Sequence, residues 1–142
     1  MTDPHHPVLL YDGGCGLCNA VVGFLLRHDP PGRVHFAPLQ SAPAQEYLKS
    51  VGLPTDDFDS LVFVPVWHGR GGAYLLRTDG ALAAFAELGG RWRKLASAAR
   101  LVPRALRDGI YRLVSRTRYA LFGEYRPKPL PNPKWEQRFL AR

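Results

Sequence analysis

The stretch Val8-Leu9-Leu10-Tyr11-Asp12-Gly13-Gly14-Cys15-Gly16-Leu17-Cys18-Asn19 decides how this 142-residue chain is read. Its first four residues form a short continuous apolar run and Asp12-Gly13-Gly14 is turn chemistry, so a buried strand is expected to lead into a tight turn. From Cys15 to about His28 the apolar positions Cys18, Val21, Val22, Leu25 and Leu26 recur on one helical face, and Asp29-Pro30-Pro31-Gly32 stops the helix. The chain has only 2 cysteines, and both fall on the first turn of that helix. At this spacing the two sulfurs lie on one side of the turn, within reach of an intramolecular disulfide. The amide end of the helix also favours a thiolate.

Two thiols a turn apart suit thiol-disulfide exchange, in which one attacks a disulfide and the second resolves the mixed disulfide that results. Cys15, at the helix start, is the expected nucleophile, and Cys18, one turn in and more shielded, the expected resolving thiol. Two rival readings use the same spacing. One treats the cysteines as structural or unused. The other is zinc, for which a single C-x-x-C supplies half of a four-ligand site; the histidines, His5, His6, His28, His35 and His68, lack the H-x3–5-H spacing that would complete it. No metal and no bound cofactor is expected, and none of the histidines is assigned to catalysis.

Beyond the helix, Arg33–Leu39 reads as a second strand, parallel to the first through a right-handed crossover. A second helix is expected from about Pro43 to Val51, then a turn at Pro54-Thr55-Asp56-Asp57 and a third strand at Leu61–Trp67. Pro65 inside that strand suggests an edge or a bulge. The glycine-rich His68–Gly72 forms a hairpin loop to a fourth strand, Ala73–Arg77, after which Thr78-Asp79-Gly80 opens a helix over Ala81–Leu88.

This order, βαβ, helix, then ββα, with a C-x-x-C at the first strand-to-helix turn, is the plan of an α/β thioredoxin-like domain with a four-stranded mixed sheet. More narrowly, Tyr11–Asn19 resembles the opening of the DCC family, named for its D-x-x-C-x-x-C motif and regarded as thiol-disulfide oxidoreductases. Gly32-Arg33, Phe36–Ser41, Gly52–Asp57, Arg118-Tyr119 and Phe122-Gly123 also look like family landmarks. The resemblance implies a redox-active Cys15–Cys18 pair and a catalytic Asp12 that accepts or relays a cysteine proton. Asp12 equally suits a turn or capping role at the helix start. An ionised Asp12 beside Cys15 would oppose the thiolate that the helix end favours. Gly13 and Gly14 are supporting residues of the turn, and Ser60, at the start of the third strand, is the expected neighbour of the cysteines. Many relatives carry a further cysteine after the Phe-Gly landmark that this chain lacks. It also has no obvious counterpart of the cis-proline that usually faces the cysteines in such folds.

Composition fits one globular domain, with 46% apolar and 22% charged residues. The opening Met1–Pro7 has neither a basic start nor a long apolar run, so no secretory signal is expected, and no segment reaches membrane-spanning length. With no disulfide framework beyond the C-x-x-C, a reducing cytoplasmic setting is expected.

The net charge of +7 is uneven: residues 1–90 carry 5 Lys+Arg against 9 Asp+Glu, residues 91–142 carry 14 against 3. A core at about 7–90 and a basic helical extension at about 91–142 are therefore expected within a single domain. The extension should hold a helix from Pro103 to near Gly123. Leu106, Ile110, Leu113, Val114, Thr117 and Leu121 form a stripe expected to pack in the core, with Arg104, Arg107, Arg112, Arg116 and Arg118 facing outward. Pro127–Pro133 should run extended, and Trp135–Leu140 should dock as a short helix through Trp135 and Phe139.

The expected partners are a protein or small-molecule disulfide or dithiol and a recycling reductant, with no specific nucleic acid; contact with a membrane surface is compatible with the basic helix. The alternative function is a non-catalytic binding module whose basic helix engages an anionic partner, membrane surface or nucleic acid.

Overall fold

The computed structural model describes residues 6–13, 16–28, 34–53, 55, 61–67, 71–122 and 138–140. In chain order the elements are β1 (Val8–Tyr11), α1 (Gly16–His28), β2 (His35–Pro38), α2 (Ala42–Val51), β3 (Val62–Val64), β4 (Leu75–Leu76), α3 (Arg77–Ala86), α4 (Gly90–Ala99) and α5 (Arg104–Phe122). The sheet runs β2-β1-β3-β4. β1 pairs parallel with β2 and antiparallel with β3, which pairs antiparallel with β4. This open mixed sheet with its helices is consistent with the thioredoxin-like plan expected from the element order.

The strands lack polar alternation because both faces of the sheet are covered. Leu9, Tyr11, Phe36 and Phe63 pack with Val22, Leu25 and Leu26 of α1 and Ala84 of α3. Val8, Leu10, Ala37, Val62 and Val64 point the other way, onto Ala44, Tyr47 and Leu48 of α2. Each fully buried leucine, such as Leu10 and Leu25 at 0% exposure, contributes about 1.5–3 kcal/mol. α2 is bounded as its sequence indicates, with Pro43 in its first turn and Gly52 (φ 75°) ending it in the left-handed conformation.

Several elements differ from expectation. β3 stops at Val64, so Pro65 follows the strand and removes no ladder hydrogen bond. β4 is only Leu75–Leu76, and α3 begins at Arg77, ahead of the Thr78-Asp79 pair expected to start it. Gly80 permits this: a Cβ there would lie 2.7 Å from Leu75 O and 2.8 Å from Leu61 Cδ1. The expected turn at Pro54–Asp57, apart from Thr55, lies outside the described residues, as do His68-Gly69-Arg70 of the expected hairpin loop and the extended Pro127–Pro133.

The largest correction concerns α5. Its apolar stripe was expected to pack in the core, yet Leu106 is 57%, Ile110 55% and Leu113 64% exposed. Among the described side chains, those that face inward are polar instead. Arg107, expected to face solvent, donates to Asp79 Oδ1 at 3.1 Å with its side chain only 12% exposed. Thr78 Oγ1 donates to Asp108 Oδ1 at 2.7 Å, and Tyr111 Oη accepts from Leu61 N at 3.0 Å. Arg104 Nε adds an ion pair with Asp79 Oδ2 at 3.1 Å. These contacts fix which side of the helix faces in. The side chains of Leu121 and Arg118 lie outside the described set.

At the other sheet edge the described end of the C-terminal segment docks: Phe139 bridges Phe36 in parallel, and Leu140 N donates to Phe36 O at 2.8 Å. Arg138 is buried beside it. Its Nε and Nη2 donate to Val34 O at 3.1 and 2.9 Å and its Nη1 to Leu26 O at 3.4 Å, while its guanidinium lies 5.3 Å from the Phe36 ring centre. The segment thereby covers part of the β2 edge. Trp135, its other expected anchor, lies outside the described residues.

Candidate functional site

The carboxyl end of β1 and the amino end of α1 meet where the sequence carries Asp12 to Cys18. Asp12 follows β1 directly and is 6% exposed. Its Oδ1 accepts a hydrogen bond from Gln40 Nε2 at 2.8 Å, and Gln40 Oε1 accepts from Gly13 N at 3.1 Å. Gly13 O in turn accepts from Asn19 Nδ2, on the first turns of α1, at 3.0 Å. Both backbone polar groups of Gly13 are thus held by side chains from two different elements.

A side chain at position 13 would be crowded. A Cβ there would sit 3.1 Å from Pro38 Cβ and 3.3 Å from Gln40 Oε1. Pro38 is itself fixed by the parallel pairing of Tyr11 with Pro38 and by Leu39 N donating to Tyr11 O at 2.6 Å. β2 thus supplies the floor on which the turn rests, and Gln40, just past its end, supplies the clasp.

α1 opens at Gly16, one residue after Cys15 in the chain. Cys18 lies in its first turn, half-buried against the cluster that holds Tyr11, Val22 and Phe63. The first turn of a helix directs its unpaired N–H groups and positive dipole end at whatever lies there, which lowers the free energy of a thiolate. Cys15, Gly14 and Ser60, three of the expected site residues, lie outside the described residues. Of the expected set, the structure therefore describes Asp12, Gly13 and Cys18, at one end of the sheet.

The histidines described are elsewhere. His6 stacks on His35 with ring centres 4.3 Å apart, ahead of β1 and at the start of β2. His28 ends α1, where its Nδ1 lies 2.9 Å from Phe24 O and its ring stacks on Phe24. All three occupy the pole opposite Asp12. His5 and His68 lie outside the described residues. Among the described residues no three His, Cys, Asp or Glu side chains converge as metal ligands, and no helix is long and apolar enough to cross a membrane.

Sequence reasoning assigned no role to Gln40, Asn19 or Tyr111. Gln40 and Asn19 stand inside the stretches that resemble the DCC family, which is the only signal for them; their partners are 28 and 6 residues away. Tyr111 meets Leu61 across 50 residues, and nothing local marks it.

Residues 9–124 match the sequence pattern of the DCC1-like thiol-disulfide oxidoreductase family. The chain is 41% identical over 133 residues to "Uncharacterized protein YuxK" of Bacillus subtilis (strain 168), covering 94% of this chain and 93% of that one. It is 31% identical over 117 residues to "DCC family protein At1g52590, chloroplastic" of Arabidopsis thaliana, covering 82% of this chain and 65% of that one. No solved structure shows significant similarity to it.

Proposed function

Because this chain belongs to the DCC1-like thiol-disulfide oxidoreductase family, we propose that it exchanges thiols and disulfides through a Cys15–Cys18 pair. The observation that supports this reading is the position of Cys18, in the first turn of α1, at the end of the sheet where the buried Asp12 follows β1. In the proposed cycle the Cys15 thiolate attacks one sulfur of a substrate disulfide. A mixed disulfide forms and the other substrate sulfur leaves as a thiolate that takes a proton. Cys18, deprotonated, then attacks the Cys15 sulfur and releases the second substrate thiol, leaving a Cys15–Cys18 disulfide. A dithiol reductant returns the pair to the reduced state, and the direction of exchange follows the potential of the partner couple.

Asp12 is the proposed acceptor or relay for the proton of a cysteine, with Gln40 and Asn19 as positioning residues through the Asp12-Gly13 turn. The cycle needs no bound cofactor. The proposed setting is a reducing cytoplasm, and the substrate a protein or small-molecule disulfide.

The test is equilibration of the purified protein in glutathione buffers followed by thiol alkylation and mass measurement, together with disulfide-reductase assays of two variants. A single reversible two-electron transition, loss of turnover in Cys15→Ser and a trapped mixed disulfide in Cys18→Ser are expected. Normal turnover in Cys15→Ser, or no reversible disulfide, would overturn the proposal.

A further inference from the structure

The orientation of α5 carries an inference independent of the redox reading. An amphipathic helix ordinarily buries its apolar face; here the apolar face is outward and the polar face is seated on the domain. The seating is specific, through Arg107 to Asp79, Thr78 to Asp108 and Leu61 N to Tyr111. The outward face holds Leu106, Ile110, Leu113 and Val114, at the i, i+4, i+7 and i+8 spacing of one stripe, all exposed. Leu101, 86% exposed, lies in the turn that leads into it. Thr117, further along the stripe, returns its hydroxyl to Leu113 O at 2.9 Å, so its polar group is satisfied within the helix.

Charge identifies the occupant of this face. Residues 91–122 carry 9 Lys+Arg and a single acidic residue, Asp108, which is turned inward onto Thr78. Arg112 and Arg116 are exposed and project roughly 60–100° around the helix from Leu113, beside the stripe. A second copy of the chain would oppose like charges across such a contact. Nucleic acid would find aliphatic side chains where hydrogen-bond donors or stacking rings are needed. A lone convex helix with an aliphatic face and an arginine flank matches the boundary between acyl chains and anionic headgroups, where the apolar side sinks and the guanidinium groups meet phosphate.

We infer that α5 docks this protein on the surface of an anionic lipid bilayer, with Leu106, Ile110, Leu113 and Val114 inserted and Arg112 and Arg116 on the headgroups. The test is cosedimentation of the full chain with vesicles of phosphatidylcholine alone and of phosphatidylcholine with about a third phosphatidylglycerol. Binding to the anionic vesicles is expected, at least ~tenfold weaker in an Ile110→Asp/Leu113→Asp variant. A loss of about fivefold is expected for each of Arg112→Gln and Arg116→Gln. Because these side chains are exposed, circular dichroism and melting should be unchanged; Ile110→Ser serves the same purpose if the double variant does not fold.

Three results would overturn the inference: no binding to anionic vesicles, binding indifferent to the aspartates, which would be charge attraction alone, or a concentration-dependent dimer abolished by them, which would make a second copy the occupant.

Discussion

Replacing Arg138 by methionine tests whether a single buried cation fastens the C-terminal segment to the sheet. Arg138 is 7% exposed. It grips Val34 O through two donors, at 3.1 and 2.9 Å, with a third, longer contact to Leu26 O at 3.4 Å. A hydrogen bond from a charged donor contributes about 1.5–3 kcal/mol, and two bonds to one acceptor count for less than their sum. The contact with the Phe36 ring nearly cancels, because a methionine sulfur beside an aromatic ring recovers a comparable ~0.5–1 kcal/mol. Methionine also relieves the desolvation of the guanidinium, which opposes the loss. The acceptors are backbone carbonyls that stay behind, however, and a buried carbonyl deprived of a donor costs about 1–3 kcal/mol.

The net expectation is a loss of about 2 kcal/mol, which at a urea slope of ~2 kcal/mol per molar lowers the unfolding midpoint by about 1 M. Arg138→Lys keeps the charge without the two-donor fork and should fall between the two. An Arg138→Met midpoint equal to or above that of the parent would refute the reasoning, since desolvation of the cation would then outweigh its bonds.

Gly80→Ala should destabilise by about 1–3 kcal/mol in urea unfolding, because its Cβ would meet Leu75 O at 2.7 Å and a backbone oxygen cannot swing aside. Gln40→Ala removes the clasp on Asp12 and Gly13 and should cost about 1–2 kcal/mol, discounted because Gln40 is exposed, with at least ~tenfold faster hydrogen exchange at the Gly13 amide. Tyr47→Phe should be neutral or stabilising at pH 7, since the buried Tyr47 hydroxyl has no hydrogen-bond partner among the described residues. Burial, with a smaller contribution from Tyr74, raises the Tyr47 phenol above its ordinary 10.0. Its neutral form is therefore favoured in the folded state, and the parent should lose stability as pH climbs above about 10 while Tyr47→Phe loses less; melting curves from pH 8 to 11 check this.

The fold was legible where burial on both faces leaves an unbroken apolar strand, as in Val8–Tyr11, and where Pro43 and Gly52 bracket a helix. It was misread where a local signal served another purpose. Asp79 resembles a helix opening, yet its carboxylate pairs with Arg104 and Arg107, and the helix starts earlier with Leu76 as a cap that offers no side-chain bond. Periodicity revealed a stripe on α5 but not its direction. That depends on partners in residues 61–79, which no window along α5 contains. In the site, the motif pointed to Asp12, Gly13 and Cys18, whereas Gln40 reaches Asp12 only because the parallel pairing brings the end of β2 alongside the end of β1.

The change in composition near Gly89-Gly90 divides the chain by charge and not by mechanics. The backbone N–H at the threshold of β3, whose strand lies directly against β1, uses a phenol oxygen that arrives from Tyr111, 50 residues later. A chain ended at residue 90 would keep every strand of the sheet and still lack a brace at the end of the sheet that holds Asp12. Whatever lifts the last long helix by about an ångström stretches that brace beyond hydrogen-bonding range, so α5 and the start of β3 share one fate.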